Sequence, residues 1–129
     1  MTERTSGNLL ADLPTALPAE QFDPLIDRDG MTLARIISTG QATPPGDWYD
    51  QPRDEWVLVL KGRAGLKFED EKSTREMAPG DYAMIPAHAR HRVEWTSADQ
   101  PTVWLVLHVP SRGLAGQDAV IGRRPPHVL

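Results

Sequence analysis

Cysteine is absent from the 129-residue chain, which excludes disulfides, thiolate metal sites and thiol nucleophiles and fits a reducing compartment. Any chemistry falls to histidine, carboxylates, tyrosine, hydroxyl groups or backbone. No run approaches the roughly eighteen consecutive apolar residues of a membrane-spanning helix, and the opening MTERTSGNLLADLPTALP has no apolar stretch behind a basic start of the kind a secretory signal carries. A surplus of positive charge is missing too. With 14 Lys+Arg against 18 Asp+Glu, the chain lacks the basic footprint on which nucleic acid or an anionic membrane surface is held. There is no Walker loop and no GxSxG elbow, and GRRPP near the end is too short to form a basic patch. These absences leave a soluble, cytoplasmic, single-domain protein with one core and a small-molecule partner as the expectation.

What is present is strand-like sequence divided by turns. Seven segments read as strands: MTLARIIST, EWVLVL, LKFED, EKSTREM, YAMIP, HRVEW and TVWLVLHV. Their spacing, with DG, KGRAG, APGD and SADQP among the connections, predicts an all-β antiparallel sandwich or barrel. EWVLVL is apolar throughout, which suits a strand covered on both faces. The preceding residues 1–30 read as an arm packed on the barrel, with one or two helical turns starting at Pro18 and ended by Pro24. Residues 31–109 are the barrel, and 110–129 lose periodicity and read as an extended or disordered tail.

Two segments carry a recognisable spacing. In GDYAMIPAHARHRVEW, five residues separate Gly80 from Pro86 and His91 follows, with His88 and Trp95 at positions where glycine and asparagine stand in the pattern G(X)5PXG(X)2H(X)3N. Upstream, Glu55 and Gly62 are separated by six residues, as at the end of G(X)5HXH(X)3-4E(X)6G. The chain therefore resembles the cupin superfamily over about Met31 to Val109. The resemblance implies a small jelly-roll β-barrel whose pocket holds a divalent metal. Where the family carries HXH, this chain has WYDQ. One spacing sets Trp48 and Asp50 at the two histidine positions, and the other sets Tyr49 and Gln51 there.

By motif position, His91 and Glu55 are the leading metal ligands, since a neutral imidazole and a carboxylate both suit first-row divalent ions. Without a metal, His91 would be a hydrogen-bonded pocket histidine and Glu55 a strand-end carboxylate in water or against an arginine. Asp50 offers the anionic oxygen best suited to replace a lost imidazole; Gln51 offers a weaker carbonyl, and the whole loop reads equally as solvated surface. His88 and Tyr49 are candidates for ligand contact. His108 either lines the barrel floor or is a satisfied core residue, and His127 has no role. Trp56, Trp95 and Trp104 read as core, whereas Trp48 borders the pocket.

The expected function is binding of Fe, Mn, Ni or Zn together with a small anionic or hydroxylated organic ligand, with oxygenase, isomerase or decarboxylase-type chemistry. The alternative is a metal-free binding or structural module. A homodimer is expected through exposed sheet edges such as MTLARIIST.

Overall fold

Alternation of large apolar and polar side chains with a period of two, interrupted by Gly, Pro and Asp, divides the chain into eight strands. The computed structural model describes residues 4–111. The strands are β1 (Gln21–Arg28), β2 (Met31–Ser38), β3 (Arg53–Lys61), β4 (Ala64–Phe68), β5 (Arg75–Met77), β6 (Tyr82–Ile85), β7 (His91–Thr96) and β8 (Thr102–Pro110). They pair antiparallel in a five-stranded sheet of order β1-β2-β8-β3-β6 and a three-stranded sheet of order β5-β4-β7. No helix occurs among the described residues.

The two sheets bury their inner faces on each other. Ile36, Val57, Val59, Ile85, Trp104 and Val106 from the larger sheet form one cluster with Leu66, Phe68, Met77 and Val93 from the smaller. Burial of this apolar surface is the main stabilising term for a domain of this size. The motif glycines make two of the tight corners, Gly62 at φ 78° and Gly80 at φ 94°, in the left-handed region that costs other residues steric strain.

All seven expected strands form, and four readings are corrected. The expected helical turns at the start are instead β1, which lies at the sheet edge, where Pro24 leaves no ladder bond broken in a central strand and a register shift between Pro24 and Ile26 absorbs the irregularity. EKSTREM shortens to its last three residues, because the Glu71 N–H donates to the Phe68 carbonyl to close a turn and Lys72 and Ser73 form a bend. MTLARIIST is no edge, since β2 is flanked by β1 and β8. EWVLVL is fully covered on one face only: Glu55, Val57 and Val59 are buried, whereas Trp56, Leu58 and Leu60 on the other face are half-buried. Of the expected tail, Pro110 ends β8 and Ser111 follows it; residues 112–129, with His127, lie outside the described residues.

Candidate functional site

The ladder between β3 and β8 sets Glu55 directly opposite His108. Residues so paired share a face of the sheet, and here the shared face is the inner one, where Val57, Val106 and Trp104 also point. His91 opens β7 in the facing sheet. The three side chains meet inside the barrel: Glu55 Oε1 stands 3.6 Å from His91 Nε2, and Glu55 Oε2 stands 3.7 Å from His108 Nε2. All three are buried, with Glu55 and His91 each 1% exposed and His108 2% exposed.

The electrostatics of this cluster are unusual. Neither Glu55 oxygen and neither His108 ring nitrogen has a hydrogen-bond partner among the described residues, although a buried carboxylate is costly unless it is paired and hydrogen-bonded. His91 Nδ1 lies 2.8 Å from the Ala89 carbonyl oxygen. That oxygen can only accept, so Nδ1 carries a proton, and unless Nε2 is protonated as well its lone pair faces Glu55. A lone pair facing a carboxylate at 3.6 Å is repulsive unless positive charge is added between them or on the ring. The separations are also longer than the ~2.7–2.9 Å of a charge-assisted hydrogen bond. They lie close to the ~3.0–3.5 Å that separates two donors each about 2.1 Å from one metal ion. The set is not closed as it stands: no group of three or more His, Asp or Glu among the described residues is disposed to hold an ion. Glu55 offers a different oxygen to each imidazole, so a shared ion requires one side chain to turn.

The WYDQ loop is laid along β7. Tyr49 and His91 exchange both backbone hydrogen bonds, at 2.7 and 3.1 Å. The Arg92 guanidinium donates to the carbonyls of Thr43, Pro44 and Asp47 and lies over the Trp48 ring. Tyr49 thus sits beside His91, with ring centroids 5.9 Å apart. Burial pushes its phenol up to about 12, against a smaller opposing effect of the Thr43 hydrogen bond. Asp50 turns the other way. Its Oδ1 is 2.7 Å from His88 Nδ1 at the exposed rim, so the third member of the buried cluster is His108 and not Asp50. Gln51 contributes its carbonyl, which accepts the His88 backbone N–H at 2.7 Å. His88 itself is held at φ 65°, an uncommon conformation for a side-chain-bearing residue. It borders an open cleft of about 460 Å³, shared with Arg75, Met84, Pro86 and Arg90, which neither Glu55, His91 nor His108 lines.

The sequence leaves His108 between the barrel floor and a satisfied core residue, because a lone histidine in an apolar strand is more often the latter. The available signal was parity: His108 lies two and four residues from Val106 and Trp104 and so faces the same way. Trp95 was misjudged for the complementary reason, since it points outward from β7 and is partly exposed.

Comparison with known proteins agrees with the fold. A crystal structure from Ralstonia eutropha JMP134, provisionally named a mannose-6-phosphate isomerase, matches with a TM-score of 0.82 and 52% identity, covering 84% of this chain and 100% of that one. A cupin superfamily protein from Desulfitobacterium hafniense DCB-2 matches with a TM-score of 0.67 at 18% identity, over 84% of this chain and 94% of its own. The DMSP lyase DddQ from Ruegeria pomeroyi DSS-3 shares the fold at 22% identity and a TM-score of 0.60, over 73% of this chain and 48% of its own. No curated protein matches. The family model described as "Cupin domain" matches residues 36–108, a span that contains Glu55, His91 and His108, and the chain belongs to that family.

Proposed function

We propose that this cupin binds one divalent transition-metal ion, Fe, Mn, Ni or Zn, between His91, His108 and Glu55, and acts on a small phosphorylated or hydroxylated organic molecule as an isomerase. The observation that carries the reading is the Glu55 carboxylate, sealed in the core with no hydrogen bond to either oxygen and an imidazole nitrogen beyond each. Two imidazoles and one carboxylate suit first-row divalent ions and not Ca or Mg. Such an ion supplies Lewis acidity toward a ligand oxygen. Around it, Tyr49 keeps its phenol proton and offers an O–H donor, while the Asp50 carboxylate accepts from His88 Nδ1 and orients that ring at the rim. The isomerase class is supported by the name of the Ralstonia protein, which is 52% identical over its whole length.

The test is anaerobic reconstitution with each ion in turn, followed by element analysis and by NMR observation of mannose 6-phosphate. One bound ion per chain and conversion of the sugar phosphate are expected. Failure of all four ions to bind above background would overturn the metal assignment. The second reading, a metal-free binding module, is favoured by the open arrangement of the three side chains. In that module, a proton held by an imidazole would supply the positive charge beside Glu55.

A further inference from the structure

The cleft beside His88 shares a wall with the buried cluster. Phe68, at the end of β4, packs in the core, lies with its ring centroid 6.3 Å from that of His91, and also lines the cleft. Ala89 is the second shared residue: it packs against the core, lines the cleft, and its carbonyl oxygen lies 2.8 Å from His91 Nδ1. A molecule held in the cleft against Phe68 therefore stands one ring away from His91.

The lining is fixed in place and of mixed polarity. Glu71 accepts from Nε and Nη2 of Arg75 at 2.9 and 2.6 Å, and the guanidinium so held lies over the Phe68 ring, 5.0 Å from its centroid. Glu69 pairs with Arg90 Nε at 3.2 Å. The segment that carries His88 is tied down by the Asp50 carboxylate, by the Gln51 carbonyl and by Asp54 Oδ1, which accepts the Ala87 N–H at 2.8 Å. Groups held before a ligand arrives lose little freedom when it binds. Arg75 Nη1, both Nη atoms of Arg90 and the Asp70 carboxylate have no hydrogen-bond partner among the described residues, so donors and an acceptor remain for a ligand. Met84, Pro86 and Ala89 add apolar surface.

We propose that this cleft binds the organic ligand and that the ligand is an uncharged polyhydroxylated ring. The inference rests on the ligand-binding reading above and chooses the hydroxylated class over the phosphorylated one. Charge decides the choice. The lining sets two guanidiniums against three carboxylates, Asp50 stands beside His88, and the chain carries a net charge of −4, so a phosphate meets no surplus of positive charge. A sugar hydroxyl both donates and accepts, which suits guanidiniums and carboxylates set side by side, and the C–H face of the ring suits Met84 and Pro86. The volume, about 460 Å³, falls within the ~300–1,000 Å³ of small-molecule sites. A sugar phosphate is then a weaker ligand than its parent sugar.

The experiment is an NMR titration of the full chain, metal-free in chelator, with mannose, glucose and galactose and with the 6-phosphate of each. At least one uncharged sugar is expected to shift the side-chain resonances of Phe68, Met84 and Arg75 while those of Ile26, on β1, stay in place. Its 6-phosphate should bind about tenfold more weakly. Asp70→Lys, in an exposed turn, should reverse that order, and Arg28→Ala, on β1, should leave it as in the wild type. The proposal is overturned if no sugar shifts the cleft resonances, if the phosphate ester binds as tightly as its parent, or if Asp70→Lys leaves the order unchanged. The titration needs no ion, so its failure leaves the metal assignment standing, and a failure of metal to bind leaves the titration readable.

Discussion

Glu55 and His108 face each other across the β3–β8 ladder, with the carboxylate Oε2 3.7 Å from the imidazole Nε2 and both side chains sealed from water. This pairing, completed by His91 from the opposite sheet, sets three ionisable side chains inside a barrel whose core cluster is apolar. His91→Ala and His108→Ala are each expected to abolish stoichiometric metal binding. Asp50→Ala and His88→Ala should leave the metal content unchanged while weakening the organic ligand. Element analysis of the four variants after identical reconstitution checks the assignment, and retention of metal by His108→Ala would remove that residue from the site.

Glu55→Gln should act in opposite directions with and without the ion. In metal-free protein with both imidazoles neutral, the amide keeps the shape of the carboxyl group and adds an N–H donor facing an imidazole lone pair, a gain of about 1 kcal/mol or more. With the ion present, the same change removes an anionic ligand and lowers affinity. Thermal unfolding in chelator should therefore show Glu55→Gln melting above the wild type, and the order should reverse in excess metal.

The two motif glycines should respond unequally to alanine. At Gly62 a Cβ would stand 2.5 Å from Thr102 Oγ1 and 2.7 Å from the Pro101 carbonyl oxygen, whereas at Gly80 nothing lies within 4 Å. Both carry the strain of positive φ, on the order of 1–2 kcal/mol. Only Gly62→Ala adds a collision with backbone, so it should cost several kcal/mol and Gly80→Ala much less. Chemical denaturation of the two variants measures the difference.

Tyr49 makes stability fall in alkali. Its folded pKa is raised to about 12 by burial from an ordinary value of 10.0. Below the ordinary value both states are protonated and the contribution is fully present. As pH rises between the two values, the unfolded chain loses the proton first, so the contribution is progressively lost. Tyr49→Phe should flatten the decline of unfolding free energy between pH 10 and 12, measured by urea denaturation at stepped pH.

How far the sequence reaches depends on the range of the interactions involved. The Gly, Pro and Asp turns and the period-two alternation are local properties of the backbone, so seven strands and the all-β class could be read from residue order, whereas Glu55 and His91 were picked out by their positions in the cupin spacing. β1 could not, because Pro24 argues against a central strand and only the position of that segment at the sheet edge makes it acceptable. The partners of Asp50 and His108 were equally out of reach. Asp50 joins His88 across 38 positions of sequence, and His108 meets Glu55 because β8 inserts between β2 and β3. Strand order and register are settled by packing of whole sheets and not by neighbouring residues. They decide which histidine enters the buried cluster, and they bring Phe68 of β4 against both His91 of β7 and the cleft that Met84 of β6 helps to line.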